Sequence, residues 1–519
     1  MPPLEQDHSA RRGKRFVVNL LWNWLGVGAT LISGLVLSPY LIRHLGPEGY
    51  GVWVLSFSLV ENYTFLDLGF RSATVKYVAH YWATGESVRV NEILNSIVAY
   101  AGMVSLMLFV AILVGSAHLD RLFKVSPAYI HSFRTLVVII SLSWCLGFVF
   151  NNFAASLEAV QRFDLSNKTG VLLTIFRVTG TVILLYLGRG LVAIGAFVVI
   201  SQTLGYAMYF LSFRHIFPEL RLSLRYASVA TLKKMGGFGI HTFIVNIATL
   251  ILTQSPPLFI GHFLPPSSVA YFSVPNRLLQ YAGEGVGRAG IITNANAAEL
   301  QARGETRSLP QLAIFTNRYS VVLFMPIAIV LWVFGDALFE LWVPSIARYS
   351  APLLRIMLVG YVIAVIGQFS SWMLLQGLGR HKRYARVVMV EAILCVGALV
   401  WTIPRYGIVG VAWATSVLMI LHRGLLTPWL VSREMNFSFP RFVASIFVWP
   451  FVSAVPAFAI ALILKSSFLP GRSWFQIAAV IPIIIIAYFG VAVFICVPRE
   501  HRELLRSWLG QKYARMRTK

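Results

Sequence analysis

The sequence contains little charge for its length. Of its 519 residues, 12% are charged and 57% are hydrophobic. Soluble globular proteins carry about 25% charged residues, so this composition is unlike theirs. We therefore expect most of the chain to lie in an apolar environment.

Cysteine is also scarce, and its three occurrences lie in apolar stretches at Cys145, Cys395 and Cys496. Their spacing fits neither a disulfide framework nor a metal-binding pair. We expect three buried thiols, and no metal or other resident cofactor.

Several catalytic signatures are missing as well. The sequence has no HExxH, CxxC or P-loop motif and no loop with paired carboxylates. The longest external loops, near 117–130 and 336–351, hold about 15 residues each, which is too few for a folded domain. A membrane polymerase or ligase would keep its reacting groups in a large external loop. The chain is therefore predicted not to be an enzyme, and not to be an ATP-driven pump by itself.

What the sequence has in abundance is apolar windows long enough to cross a bilayer, for which about 20 helical residues suffice. A basic run at 11–15 precedes the first window, which we interpret as a retained span because no small-residue cleavage site follows it. The pattern predicts an all-α integral membrane protein with about 14 transmembrane helices. These spans lie at 16–42, 50–79, 91–116, 131–157, 167–187, 191–213, 236–263, 268–298, 311–335, 352–378, 384–403, 408–430, 442–464 and 474–497.

The excess of positive charge lies mainly on one side of these spans. Lysine and arginine number 44 against 20 acids, for a net charge of +24. Of the 44, 28 fall in the termini and alternate loops, Arg423 among them, against 8 in the opposite loops and 8 inside the spans. This distribution predicts cytoplasmic N- and C-termini. It favours attraction to anionic lipid headgroups over nucleic-acid binding.

The two halves of the chain repeat each other. Ser38-Pro39 recurs as Ser255-Pro256 at an offset of 217 residues, and the turn GLVAIG at 190–195 recurs as GIVGVA at 407–412 with the same offset. The span end at 156–162 recurs at 374–380 with an offset of 218. A repeat of six spans is even-numbered, so both copies enter the membrane in the same sense.

The repeat predicts two parallel six-helix lobes followed by two C-terminal helices. The expected parts are a cytoplasmic tail at 1–15, an N-lobe at 16–225, a C-lobe at 226–435, an extra helix pair at 436–498 and a basic cytoplasmic tail at 499–519.

The stretches LSPYLIRHLGPEGYGVW and FLDLGFRSATVKYVAHY within 37–81, the two recurring turns and the arrangement of twelve plus two spans resemble a known family. They are similar to the polysaccharide (Wzx-type, PST) flippases of the MOP superfamily, which are related to MATE exporters and lipid II flippases. The resemblance covers roughly residues 15 to 497. It implies two bundles of six helices, alternating access, and movement of an undecaprenyl-pyrophosphate-linked oligosaccharide from the cytoplasmic to the periplasmic leaflet of the bacterial inner membrane. Membrane lipid and the polysaccharide polymerase machinery are the partners it implies.

Charges inside the predicted spans are the candidate site residues. In the stretch 268–299, Arg277, Glu284 and Arg288 fall on one helical stripe at about 100° per residue. Such charges cost about 2.5–3.5 kcal/mol each when they face lipid, so the stripe should line protein or water. Neighbouring glycines leave room either for a close helix or for a wide cavity. Arginine suits phosphate because it forms bidentate contacts. The predicted substrate-binding residues are Arg71, Arg177, Arg277 and Arg288.

Embedded acids and prolines have other candidate roles. Carboxylates in the membrane are candidates for coupling transport to H⁺ or Na⁺, or for charge pairing. Asp67 with Arg71, and Glu284 with Arg288, are spaced to pair within one helix, which leaves a structural role open. The candidate acids are Glu61, Asp67, Glu284 and Glu391, and the candidate hinges are Pro39, Pro256 and Pro275.

Two functions are compatible with these residues. Surplus arginine and fourteen spans favour a flippase that moves a lipid-linked oligosaccharide through a cationic central cavity. An ion-coupled multidrug or cation antiporter of the same superfamily is the alternative, and twelve spans with an acid-dominated cavity would favour it.

Overall fold

In the part of the chain that it describes, the computed structural model has helices joined by short connections, and no strand. The described residues are 4–61, 66–67, 69–236, 240–380, 382–468, 473–503 and 507. Most of the predicted basic tail at 499–519 therefore lies outside the described residues.

The chain divides into two compact units, Met1–Ala270 and Tyr271–Lys519. The first contains α1 (Leu4–Glu61), α2 (Phe70–Ala83), α3 (Ser87–Ser116), α4 (Leu119–Leu122), α5 (Pro127–Ala159), α6 (Phe163–Tyr186), α7 (Leu191–Ile216), α8 (Val229–Gly236) and α9 (Ile240–Phe263). In its interior α5 packs against α3 and α7, and α1 packs against α6.

The second unit begins inside α10 and contains two π-helices, π1 and π2. Its helices are α10 (Pro266–Ala302), α11 (Leu309–Trp342), α12 (Ala347–Ile366), π1 (Gly367–Ser371), α13 (Trp372–Gly377), α14 (Lys382–Met419), π2 (Ile420–Leu426), α15 (Thr427–Glu434), α16 (Phe439–Phe468) and α17 (Trp474–Ile495). The predicted boundaries of the two lobes and the extra helix pair stay predictions, and the compact units divide the chain at a point that differs from them.

Each of the predicted spans coincides with helix among the described residues. Two long helices each supply two spans, because α1 is interrupted at Gly46 with φ 72° and α14 at Gly407 with φ 58°. These positive φ values explain why glycine occupies both turns. Within the described ranges, ten helical segments are apolar and long enough to cross a membrane by length and composition. The predicted all-α membrane class is confirmed, and the number of fourteen spans is approximate.

The internal repeat is visible in backbone geometry at one turn. After α5, Gln161 adopts φ 60° and the N–H of Arg162 donates to the carbonyl of Leu157 at 2.9 Å. At the corresponding turn 218 residues later, Gly379 adopts φ 65° and the N–H of Arg380 donates to the carbonyl of Leu375, also at 2.9 Å. The two helices end in the same left-handed cap.

The predicted hinge prolines all lie inside helices and are buried. Pro39 is in α1, Pro256 in α9 and Pro275 in α10. A proline in a helix interior removes one backbone hydrogen bond and favours a bend. Their role as hinges stays a prediction.

The extra helix pair, α16 and α17, packs on α11 of the second unit. Arg318 of α11 donates to the carbonyl of Ser445 at 2.8 Å and to that of Cys496, just after α17, at 3.4 Å. Toward the other end of α11, Asp336 pairs with Lys465 of α16 at 3.9 Å. Contacts toward both ends therefore hold α16 along α11.

A glycine contact joins α1 to the start of α10 inside the first unit. A Cβ added to Gly51 would lie 1.8 Å from the backbone carbonyl oxygen of Pro266. Backbone cannot move aside as the end of a side chain can, so only glycine fits here.

We predict that Gly51→Ala lowers the free energy of unfolding by about 1–3 kcal/mol through overpacking. Gly102→Ala in α3 is the matched control, because no atom lies within 4 Å of its added Cβ. Thermal unfolding of the two purified variants in detergent measures the difference. Equal midpoints for both would contradict the close contact.

Candidate functional site

The second predicted span is interrupted at Gly69, which adopts φ 79° directly before α2 begins at Phe70. The described part of α1 reaches Glu61. Residues 62–65 and 68 between them lie outside the described residues. Non-helical backbone at membrane depth occurs where it is buried in protein or lines a cavity, and transporters often bind their substrate at such breaks. We call this region the span-2 break.

Charged groups of two helices meet at the span-2 break. The guanidinium of Arg71 donates from Nη2 to Oε1 of Glu158 on α5 at 2.6 Å. Their side chains are 44% and 23% exposed. The carboxylate of Asp67 accepts the backbone N–H of Arg71. Tyr100 of α3 donates from its hydroxyl to the carbonyl of Leu66 at 2.9 Å.

The two alternatives for Asp67 and Arg71 both stay predictions. Asp67 precedes the start of α2 at Phe70, so the two residues do not lie on that helix together. The two charges still attract each other, but the guanidinium takes Glu158 as its hydrogen-bond partner. Glu158 is 87 residues away, and nothing in the local spacing of either residue indicates the pair.

Glu61, the last described residue of α1, is another polar group next to the break. Its carboxylate accepts a hydrogen bond from the side-chain amide of Gln254 on α9. Three carboxylates, Glu61, Asp67 and Glu158, thus lie at or next to the break with Arg71. The local charge balance depends on their protonation.

The predicted stripe on α10 lies on one continuous helix. Arg277 and Glu284 are exposed, whereas the side chain of Arg288 lies outside the described residues. Of the neighbouring glycines, Gly283 and Gly287 approach the ring of Phe369 in π1, with added Cβ atoms at 3.0 and 3.1 Å. These glycines therefore serve a close neighbouring helix. An added Cβ on Gly285, on another face, meets no atom within 4 Å.

The fourth predicted arginine, Arg177, lies half-buried on α6 of the first unit. Arg71 and Arg177 thus belong to the first unit, and Arg277 to the second. Substrate binding by all four arginines stays a prediction.

A second polar cluster is buried in the second unit. Glu391 of α14 is 5% exposed, and its Oε2 lies 2.5 Å from Nδ1 of His422, which is 3% exposed. Arg423 Nε lies 3.9 Å from Oε1 of the same carboxylate. Nε2 of His422 has no hydrogen-bond partner among the described residues, and the ring of Tyr384 lies 5.3 Å away.

Only Glu391 of this cluster is evident in the sequence. Nothing in the sequence distinguishes His422 as a site residue. The charge distribution places Arg423 in a cytoplasmic loop, but the structure places it in π2 with its side chain mostly buried. The turn at Gly407 folds the second part of α14 back toward the first part, which brings π2 beside Glu391. A π-helix inserted in an α-helical span often marks a functional site, but it has no sequence signature of its own.

Comparison with known proteins assigns the family. The profile of a family described as polysaccharide biosynthesis protein matches residues 16–287, which is more than half of the chain. The chain belongs to this family. The resemblance stated from the sequence motifs is thereby confirmed.

Curated relatives match over nearly their whole lengths. A Shigella flexneri protein named as a candidate O-antigen transporter is 20% identical over 426 residues, which cover 80% of this chain and 98% of the relative. An uncharacterised membrane protein of Bacillus subtilis, EpsK, is 22% identical over 508 residues, which cover 95% of this chain and 97% of the relative.

Solved structures share the fold of this member of the polysaccharide biosynthesis family. The lipid II flippase MurJ, in an inward closed conformation, matches with a TM-score of 0.72 at 13% identity, covering 94% of this chain and 100% of that one. A MATE family multidrug transporter of the MOP superfamily, in an inward-facing conformation, matches with a TM-score of 0.63 at 15% identity, covering 79% of this chain and 96% of that one. The predicted MATE/MOP-like fold is confirmed, and the family and the fold together support a multi-pass membrane transporter.

We predict that Glu391→Ala lowers the free energy of unfolding by about 3–5 kcal/mol, because it leaves buried His422 and Arg423 without their carboxylate. Glu299→Ala is the control, since Glu299 forms an exposed pair with Arg303, and such pairs contribute about 0–1 kcal/mol. Unfolding of both variants in detergent provides the comparison. A loss at Glu391 no larger than at Glu299 would show that the buried cluster does not stabilise the second unit.

Proposed function

We propose that this chain is a flippase that translocates an undecaprenyl-pyrophosphate-linked oligosaccharide, such as an O-antigen or exopolysaccharide repeat unit, from the cytoplasmic to the periplasmic leaflet. Transport proceeds by alternating access through a cationic central cavity. The observation that carries the proposal is Arg71, a partly exposed arginine beside a break in a membrane span. The family description and the name of the Shigella flexneri relative support a polysaccharide cargo.

Arg71 can bind a pyrophosphate if the pyrophosphate replaces Glu158 as its hydrogen-bond partner. A guanidinium binds phosphate oxygens through two parallel hydrogen bonds, as it binds a carboxylate. Glu158 occupies one of those donors at 2.6 Å. A pyrophosphate therefore competes with Glu158, and protonation of Glu158 would release Arg71 for the cargo. Arg177, Arg277 and Arg288 supply further positive charge in the proposed cavity.

Ion coupling is part of the same proposal, with H⁺ or Na⁺ as the coupling ion. Glu61 and Asp67 at the span-2 break, Glu284 on α10 and Glu391 in α14 are the candidate carboxylates. Glu391 has the most enclosed environment of these, because His422 and Arg423 contact it inside the second unit. Bending at Pro39, Pro256 and Pro275 accompanies the change in access.

A multidrug or cation antiporter is the second candidate. The observation that favours it is the group of carboxylates at the span-2 break, since Glu61, Asp67 and Glu158 accompany one arginine there. An acidic site suits a cationic cargo better than a pyrophosphate.

The proposed location is the bacterial inner membrane, with both termini in the cytoplasm. The bias of lysine and arginine toward one set of loops supports this orientation. The proposed partners are the polyprenyl-pyrophosphate-linked oligosaccharide, membrane lipid and the polysaccharide polymerase machinery.

We predict that Arg71→Gln lowers the rate of flipping about ten-fold or more, since a charge-assisted contact to phosphate contributes about 1.5–3 kcal/mol. Arg134→Gln is the matched control, because Arg134 forms the same kind of pair with Asp120 at 2.7 Å in the same unit. Flipping is measured in proteoliposomes with a polyprenyl-pyrophosphate-linked oligosaccharide, and surface glycan is measured in a complemented deletion strain. Normal glycan with altered drug sensitivity alone in the deletion strain would favour the antiporter.

We predict that an imposed pH or Na⁺ gradient changes the initial rate of flipping in the wild-type protein. Glu391→Gln should abolish this dependence, because it removes the charge of the enclosed carboxylate and keeps its shape. The measurement is the initial rate in proteoliposomes with and without each gradient. Rates that respond to neither ion would contradict ion coupling while leaving the proposed cargo intact.

A further inference from the structure

The segment that joins α7 to α9 is fastened to the first unit by side chains of α3. We call residues 217–236 the linker, and it includes α8. Asn95 of α3 donates from its amide to the carbonyl of Arg221 at 2.8 Å and accepts the N–H of Ser223 at 2.7 Å. Asn91, one turn earlier, accepts the N–H of Arg221 at 3.0 Å. The two asparagines therefore pair with linker backbone as a neighbouring strand would.

Two more residues near the start of α3 also form hydrogen bonds with the linker. Ser96 accepts the backbone N–H of Ser228 at 2.8 Å. Glu92 accepts the hydroxyl of Thr231 in α8 and pairs with Arg89 at 3.1 Å. The first three turns of α3 thus carry the contacts that hold the linker in place.

The docked linker closes a pocket of about 210 Å³ against α2 and α3. Its lining includes the rings of Tyr77 and Tyr81 from α2, the charged pair Arg89 and Glu92 from α3, and Lys234 from α8. Because α8 forms one wall, the pocket has this shape only while the linker is docked.

Lys234 is the cation that faces this pocket from the linker. Its ammonium donates to the hydroxyl of Tyr81 at 3.0 Å and lies 5.5 and 5.6 Å from the ring centres of Tyr77 and Tyr81. The hydrogen bond to Tyr81 raises the pKa of Lys234, whereas the nearby charge of Arg89 lowers it. Lys234 therefore stays charged at neutral pH. Arg89 lines the same pocket, where it pairs with Glu92 at 3.1 Å. A phosphate bound in this pocket would attract both cations.

The outer surface of the linker indicates where the anion comes from. Leu224 and Val229 are 78% and 70% exposed, and they alternate with the basic residues Arg225 and Lys233. A segment with apolar and basic side chains on its outside is typical of one that lies in the headgroup region of a membrane. Tyrosines and lysines at a membrane surface favour the same depth.

We propose that the pocket between α2, α3 and α8 binds the phosphate headgroup of an anionic phospholipid, which bridges Lys234 of the linker and Arg89 of α3. The bound lipid holds the linker, and with it the connection between the two six-span repeats, on the first unit. The residues of this pocket are different from those of the proposed cargo site at the span-2 break. Its test needs no transport measurement, so it succeeds or fails independently of the proposed function.

The full-length protein in nanodiscs provides the test. The readout is hydrogen–deuterium exchange at the N–H groups of Arg221, Ser223 and Ser228, which α3 side chains accept. Phosphatidylglycerol added to phosphatidylcholine should slow exchange at these amides about ten-fold, because a ligand that binds only the docked state shifts the opening equilibrium. Unchanged exchange in the wild-type protein overturns the proposal. Inorganic phosphate added to pure phosphatidylcholine nanodiscs should have no effect, and equal protection by it would overturn the lipid assignment.

Variants of two adjacent lysines locate the effect. Lys234→Gln should lose the response to phosphatidylglycerol, and Lys234→Arg should keep it, because the positive charge remains. Lys233→Gln is the matched control, since Lys233 is exposed on the same helix and does not line the pocket. Loss of the response in both glutamine variants would indicate non-specific surface charge and overturn the pocket. Native mass spectrometry should show lipid retained by the wild type, by Lys234→Arg and by Lys233→Gln, and lost from Lys234→Gln.

Discussion

A membrane offers no water to backbone N–H and carbonyl groups, so each must find a partner inside the protein. This constraint explains why the described spans are helical and why two of their irregular regions contain polar side chains. At the span-2 break, Asp67 accepts a backbone N–H and Tyr100 donates to a backbone carbonyl. In the second unit, the irregular geometry of π2 coincides with the His422–Glu391 contact. The candidate chemistry therefore lies where the helix is interrupted.

The two π-helices of the second unit pack against each other at Gly367, which has no side chain to separate their backbones. A Cβ on Gly367 of π1 would lie 1.9 Å from the carbonyl oxygen of Arg423 in π2. Such backbone-to-backbone contact is typical of membrane helices that pack through small residues. It places the irregular parts of two spans side by side, next to the buried carboxylate of Glu391.

The effect of a charge inside a span depends on whether an opposite charge pairs with it. The sequence contains more embedded cations than embedded acids, which predicts a positively charged interior. Arg71, however, already pairs with Glu158, and Asp67 lies close by. The net charge beside Arg71 therefore depends on which of these carboxylates are protonated and which pairs are formed. This dependence is the basis of the proposed coupling between cargo and proton binding.

The sequence by itself determined the helical class and the approximate number of spans. Both follow from a local property, the length of the apolar stretches, whereas the six-span repeat that the sequence indicates stays a prediction. The sequence also identified Arg71 and Glu391 as embedded charges. Only the tertiary structure decided their partners, because Glu158 and His422 lie 87 and 31 residues away along the chain. It likewise separated Lys234, which faces a pocket, from its neighbour Lys233, since two adjacent lysines are equivalent in sequence and differ only in what packs beside them.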